Sequence, residues 1–191
     1  ILIGLPVGAT TGVMPLELAV DSGGTSSTLS LNIQVIASAA RTEAIAIPAD
    51  RLNLIGNEVD AAENEQVRQM MSTYSPIRAF AGPMGLPAAA PITSPFGTNR
   101  SYNGGSLVRL HTGTDFAGAP GTPIYAAAGG RVVFSRWLDV RGLATIIDHG
   151  WGVFTGYWHQ TESYVVPGSE VTAGQVFGTV GSTGPVTGPH L

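Results

Sequence analysis

The stretch Pro123-Ile-Tyr-Ala-Ala-Ala-Gly-Gly-Arg-Val-Val-Phe-Ser135 decides the fold of this chain. It holds two short runs of strand-forming residues, 123–128 and 131–135, separated by the turn dipeptide Gly129-Gly130. Short runs joined by tight glycine turns predict antiparallel β structure. A similar hairpin-like piece, Val171-Thr-Ala-Gly-Gln-Val-Phe-Gly178, follows downstream. Both pieces are typical of small β barrels and sandwiches.

The rest of the C-terminal half continues the same pattern. Further strands are predicted at 143–148, 153–158 and 175–180, with glycine-containing turns at 149–150 and 181–184. The composition agrees, because the 191 residues include 26 glycines and 13 prolines but only 12% charged residues. We therefore expect a mainly β protein.

The first fifty residues predict a small β module. Apolar and polar residues alternate along 29–35 and along 16–20, which is the period of a half-buried strand, and 21–24 is a turn sequence between them. A third strand is expected at Ile45 and Ile47. These strands favour an immunoglobulin-like module, although fifty residues is short for one.

One clear helix is predicted, at 57–74. Asn57 can cap its N-terminus, and Val67, Met70, Met71 and Tyr74 recur at helical spacing. We interpret this apolar stripe as facing the core rather than as a binding surface. Glu63 and Glu65 are assigned to the solvated face of the helix.

Three domains are predicted from these patterns. Residues 1–50 form the β module, residues 51–91 hold the helix and a Pro/Gly/Ala-rich linker, and residues 92–191 form a C-terminal β domain.

Charge and cysteine content exclude several functional classes. The chain has 13 acidic and 9 basic residues and no basic cluster, so no nucleic-acid partner is expected. It has no cysteine, which excludes disulfides and thiolate metal sites. The uncharged stretches 1–16 and 79–99 are interrupted by Gly and Pro, so no transmembrane segment is predicted. The start at Ile1 is interpreted as that of a processed or trimmed piece.

His111-Thr-Gly-Thr-Asp115 is the candidate metal motif. In a straight strand its two outer residues would lie about 13 Å apart, so we expect a bend at Gly113 that brings them together. An imidazole nitrogen and a carboxylate oxygen suit zinc. The spacing alone is a weak signal.

A series of motifs in unbroken order, over about a hundred residues, resembles the lysostaphin/LytM-type zinc metalloendopeptidases, which cut the peptide part of bacterial peptidoglycan. The motifs are Ile92-Thr-Ser-Pro-Phe-Gly97, His111 to Phe116, Gly121-Thr-Pro-Ile-Tyr-Ala126, Ile147-Asp-His-Gly150, Tyr157-Trp-His159, Gly178-Thr-Val-Gly-Ser-Thr-Gly184 and Thr187-Gly-Pro-His-Leu191. The resemblance implies that 92–191 is an antiparallel β domain of the duplicated-hybrid-motif (LytM-like) type, truncated at its C-terminus.

The resemblance also implies roles for individual residues. His111 and Asp115 match zinc ligands, and a third ligand is expected one residue beyond Leu191. His159 and His190 match the histidines that line the catalytic site, where they would share the base and oxyanion-stabilising roles. The sequence does not decide which histidine plays which role.

An exported zinc endopeptidase that cuts crosslinks or bridges of peptidoglycan is the function that the resemblance implies. The expected location is extracellular or in the cell envelope, with other envelope proteins as further partners. The alternative is a non-catalytic LytM-like module that binds cell wall or activates partner hydrolases. The intact residues His111, Asp115, His159 and His190 favour the enzyme.

Three other polar residues have less specific interpretations. His149 is interpreted as a structural turn histidine rather than a metal ligand. Arg100 and Asn103 are placed in a loop at the edge of the groove, where they either contact a substrate carboxylate or have no role.

Overall fold

The computed structural model describes residues 2–6, 8–37, 41–105 and 108–191. It forms two compact units, Ile1–Arg41 and Thr42–Leu191. The domain boundaries at 50 and 91 stay predictions.

The first unit contains an antiparallel hairpin. Strand β1 (Gly12–Ser22) pairs with β2 (Thr25–Val35) without a break in register, through a turn at Gly23-Gly24. Both turn glycines have positive φ, as tight two-residue hairpin turns require. The two predicted strands are confirmed. The immunoglobulin-like identity of the module stays a prediction.

The third predicted strand of the N-terminal module pairs elsewhere. It is β3 (Arg41–Ile45), which lies beside β5 (Thr98–Tyr102) in a three-stranded sheet with β6 (Val108–Leu110). Asn103 extends this pairing, because its backbone N–H donates to the Ile45 carbonyl at 2.8 Å and its side-chain amide makes two hydrogen bonds to the Ile47 backbone. The strand expected at Ile45 and Ile47 thus ends at Ile45, and the alternating pattern did not indicate its distant partner.

A six-stranded antiparallel sheet is the main element of the second unit, and the mainly β prediction is confirmed. The strand order is β12-β9-β10-β11-β13-β8. Its strands are β8 (Pro123–Tyr125), β9 (Gly130–Leu138), β10 (Gly142–Asp148), β11 (Phe154–Ser163), β12 (Glu170–Val171) and β13 (Val176–Val180). Five of them were predicted. The two-residue β12 was not, because it is too short to show a period.

Fully buried side chains of this sheet form a hydrophobic core, which includes Ile124, Ile147, Phe177 and Val180. Two very short strands, β4 (Ile92–Ser94) and β7 (Asp115–Phe116), pair beside it. Burial of aliphatic and aromatic groups supplies the main stabilisation of such a domain.

Two helices precede the main sheet, α1 (Ala49–Leu52) and α2 (Glu58–Met70). Asn57 caps α2 as predicted, since its side chain accepts a hydrogen bond from the Asp60 N–H at 3.0 Å. Val67 packs into a second buried cluster with residues of β9 and β10, so the core-facing interpretation is right there. The helix ends at Met70, and Tyr74 is 70% exposed rather than part of the stripe. In the described ranges, neither helix has the length and hydropathy needed to cross a bilayer.

The loop after β10 generates a prediction about stability. Gly150 and Gly152 both have left-handed φ, at 81° and 73°, but a Cβ at Gly150 would overlap the carbonyl oxygen of Ile77, whereas a Cβ at Gly152 would meet nothing within 4 Å. Alanine at Gly152 should therefore cost only the conformational term of about 1–2 kcal/mol. Alanine at Gly150 should cost at least about 1–3 kcal/mol more because of the overlap.

Urea unfolding of the two variants beside the parent protein measures this difference. Equal losses in the free energy of unfolding for the two variants would show that the Ile77 backbone does not pack tightly against Gly150.

Candidate metal and catalytic site

His111 and Asp115 converge on one point. His111 directly follows β6, Asp115 begins β7, and the intervening bend brings the His111 Nε2 within 3.0 Å of the Asp115 Oδ1. Two atoms that are each about 2.0–2.2 Å from the same zinc ion can be at most about 4.4 Å apart. The pair therefore has the donor atoms and the separation that a shared cation requires.

The outer nitrogen of His111 lies among acceptors. Its Nδ1 is 3.3 Å from the Pro95 carbonyl oxygen and 3.3 Å from the Ser94 Oγ. A carbonyl can only accept, so this contact favours a proton on Nδ1 and a lone pair on Nε2. With that tautomer, Nε2 and the Asp115 carboxylate are both acceptors, and only a proton or a cation between them makes the contact favourable. The site chemistry thus fits a bound metal.

Arg100 holds the second oxygen of Asp115. Its guanidinium hydrogen-bonds the Asp115 Oδ2, and its Nε donates to the Glu43 Oε2 at 3.2 Å. Burial alone would raise the pKa of Asp115, but its contact with His111 and the charge of Arg100 outweigh burial and lower that pKa. Asp115 is therefore ionised and able to bind a cation. Arg100 lies in β5 with its side chain 15% exposed, so the groove-edge loop interpretation is wrong for it.

His159 and His190 form a second pair. Their ring centroids are 4.8 Å apart with an interplanar angle of 51°. The His159 Nδ1 is 2.7 Å from the Thr183 carbonyl oxygen, and the His190 Nδ1 is 2.9 Å from that of Gly188. Both Nδ1 atoms therefore donate, which leaves Nε2 of each ring as the nitrogen available for proton transfer.

An irregularity of β11 places His159. The register with β10 shifts between the pairs Leu143↔Gln160 and Thr145↔Tyr157, and His159 has a left-handed φ of 63° within this bulge. Burial, followed by the charge of His190, lowers the pKa of His159 to about 4. His159 is therefore neutral at pH 7 and can accept a proton.

Both pairs line one cleft of about 560 Å³. All four residues predicted for the site are thus brought together. Within the described ranges, no group of three or more His, Cys, Asp or Glu side chains is close enough to hold a metal. Other residues that line the cleft include Asp60, Asn64, Arg100, Tyr102, Arg109, Arg141, Tyr157 and Trp158.

His149 lies outside the cleft and has a structural role. It is fully buried, with Nδ1 at 2.6 Å from the Gly129 carbonyl oxygen and Nε2 at 2.7 Å from the Thr155 Oγ1. Burial lowers its pKa. The interpretation as a structural histidine is consistent with these contacts, although Gly129 is distant in sequence.

Sequence reasoning missed the acidic residues that support the cleft. Glu63 is only 5% exposed and hydrogen-bonds the turn between β9 and β10, so its assignment to the solvated face is wrong. Glu65 is exposed, as predicted, and it pairs with Arg68. Asp60 is also buried and hydrogen-bonds Arg109.

Residues 109–191 match the model of peptidase family M23. The peptidoglycan DD-endopeptidase ShyA of Vibrio cholerae is 41% identical over 100 residues, which are 52% of this chain and 23% of ShyA. The murein hydrolase activator EnvC of Escherichia coli is 39% identical over 71 residues, 37% of this chain and 17% of EnvC. The chain thus spans less than a quarter of the length of these relatives.

Two solved structures are similar in fold. A crystal structure of a candidate peptidase M23 from Pseudomonas aeruginosa superposes on this chain with a TM-score of 0.70 and 26% sequence identity. The superposed region is 98% of this chain and 69% of that chain. A zinc-containing peptidase from Vibrio cholerae gives a TM-score of 0.51 at 36% identity, over 59% of this chain and 35% of that chain.

The position of Arg100 predicts the effect of removing it. In Arg100→Ala, the carboxylates of Glu43 and Asp115 lose the cation between them, so we expect a loss of about 2–4 kcal/mol in the free energy of unfolding, as for other partly buried ion pairs. Urea unfolding in the presence of a chelator measures this loss without interference from metal.

Arg68→Ala is the matched control, because Arg68 pairs with Glu65 on the exposed face of α2. It should leave stability unchanged. An Arg100→Ala variant as stable as this control would mean that Arg100 is not needed to balance the site.

Proposed function

We propose, from the membership of residues 109–191 in peptidase family M23, that this protein is a zinc-dependent endopeptidase of bacterial peptidoglycan. The observation that carries the proposal is the single cleft lined by both the His111–Asp115 pair and the His159–His190 pair. The similarity to ShyA, which is named a peptidoglycan DD-endopeptidase, supports the substrate class. A peptidoglycan substrate would place the protein in the cell envelope or outside the cell.

His111 and Asp115 would hold the metal. The Pro95 carbonyl orients the His111 ring from behind, and Arg100 fixes the Asp115 carboxylate through the oxygen that does not face His111. Zinc, when bound, polarises the scissile carbonyl and lowers the pKa of its water.

His159 and His190 would divide the proton transfers between them. A base must present an unprotonated nitrogen, and His159 does so at Nε2, because burial keeps its ring neutral and Thr183 takes the Nδ1 proton. A donor to the developing oxyanion must carry a proton on Nε2. We assign that role to His190, whose ring lies beside His159 in the same cleft.

The similarity to EnvC favours a second candidate function. EnvC is named a murein hydrolase activator, so a non-catalytic module that stimulates partner hydrolases is the alternative. The presence of all four predicted residues, His111, Asp115, His159 and His190, in one cleft is what favours the enzyme over this alternative.

Single substitutions in the full-length protein separate the roles of the two pairs. His111→Ala and Asp115→Ala should remove both zinc binding and the release of dye from labelled peptidoglycan, because each deletes a ligand. His159→Ala and His190→Ala should keep zinc binding but lower kcat by about 10²–10⁴-fold, the usual contribution of general acid–base catalysis. Zinc content is measured by elemental analysis and cleaved bonds by mass spectrometry of the released fragments.

Asp21→Ala is the control for the loss of a carboxylate, since Asp21 is exposed in β1 of the other unit. It should change neither property. Unaltered peptide-bond cleavage by His111→Ala, or cleavage insensitive to chelator, would refute the metallopeptidase assignment. Stimulation of a partner hydrolase without cleavage by the protein itself would establish the alternative.

A further inference from the structure

The carboxylate of Glu63 is buried where α2 meets the turn between β9 and β10. It accepts hydrogen bonds from the backbone N–H of Val140 at 2.9 Å and of Arg141 at 3.1 Å, and from the Arg141 Nη1 at 2.7 Å. Three donors, one of them cationic, compensate the cost of removing a carboxylate from water. The turn is therefore fixed to α2 at two successive amides.

The same turn is bonded to the backbone of His159. The carbonyl oxygen of Arg141 accepts a hydrogen bond from the His159 N–H at 2.8 Å. This carbonyl belongs to the same residue whose N–H donates to Glu63. The bond from the His159 N–H holds the bulge in which His159 takes its left-handed φ of 63°. A non-glycine residue keeps such a backbone conformation only when its surroundings enforce it.

The side chain of Arg141 reinforces the connection. Its guanidinium lies 5.2 Å from the centre of the Trp158 ring, and its Nη2 donates to the Asn64 Oδ1 at 2.7 Å. Glu63 and Asn64 of α2 thus hold both the backbone and the side chain of the residue that contacts the Trp158–His159 segment.

Packing alone does not account for a carboxylate at position 63. Val67 already anchors α2 to β9 and β10 through a buried apolar cluster. Replacing both partners of a buried ion pair by apolar side chains is often neutral or stabilising, so stability alone does not explain why a Glu63–Arg141 pair stands here. What only a carboxylate supplies here is a fixed acceptor for two adjacent amides.

We propose that Glu63 is a positioning residue for His159 and acts through the backbone of the β9–β10 turn. The inference rests on the proposed function, in which His159 takes part in proton transfer. Glu63 is not among the residues that line the cleft, so it acts without touching substrate.

The first test compares Glu63→Ala, Glu63→Gln and the control Glu65→Ala in the full-length protein. Because misplacing a reacting group by about 1 Å can cost about 100-fold in rate, Glu63→Ala should lower kcat about 10–100-fold, with little change in KM and unchanged zinc content. Glu63→Gln keeps one acceptor oxygen with the same shape and should recover part of kcat. Glu65→Ala removes an equal charge from the exposed face and should behave as the parent.

The second test separates positioning from general damage. In a His159→Ala background, Glu63→Ala should leave the residual rate unchanged, because the group that it positions is gone. Amide hydrogen exchange at Val140, Arg141 and His159 should be faster in Glu63→Ala than in Glu65→Ala. This second readout requires no catalysis.

Different results would refute the positioning role of Glu63 and the proposed function. A full additional loss of rate in the His159→Ala background, or unchanged exchange at the His159 amide, refutes the positioning role while the peptidase assignment stands. No cleavage of peptidoglycan by the unsubstituted, zinc-loaded protein refutes the proposed function, and the positioning role with it.

Discussion

Three arginines around the cleft are each bound to a carboxylate that lies earlier in the chain, and the geometry of the site depends on these pairs. Removing a cation or a carboxylate from water costs free energy unless the two form an ion pair. Each pair therefore holds a segment before residue 64 against the cleft. All nine basic residues of the chain are arginine, whose planar group can bond two partners at once. The pairs are Glu43–Arg100, Asp60–Arg109 and Glu63–Arg141.

Local patterns were sufficient to predict most of the main sheet. The strands from β8 to β11 and β13 are bounded by glycine turns and rich in Val, Ile and Thr, so each can be recognised from its own residues. The side chains of the cleft were identified differently, by the ordered motifs of a known family, since an H-x-x-x-D spacing is weak by itself. The sequence could not show that Asp115 has its second oxygen occupied by Arg100, because hydrogen-bond geometry leaves no trace in spacing.

The sequence analysis did not predict the buried acids of α2 or the left-handed backbone of His159, although the buried acids have a signal in the sequence. Asp60, Glu63, Val67 and Met70 recur at helical spacing, so the buried face of α2 includes two acids that a search for apolar residues alone assigns to solvent. Acidic residues on the same face as a core valine indicate a buried partner. The left-handed backbone of His159 has no comparable signal, because it follows from the register shift between β10 and β11 and from the bond to Arg141.

The charges behind the metal-binding pair explain why Arg100 can lie so close to it. A lone arginine beside His111 and Asp115 would repel a second cation. Glu43 contacts the same guanidinium, so two carboxylates and one guanidinium leave a net negative charge at the pair. Arg100 therefore orients Asp115 without cancelling the attraction for a divalent ion, and Glu43 is the residue that makes both possible. Because Glu43 lies on β3 and outside the segment that matches the family, the charge balance of this site is set by a strand that the family motifs do not include.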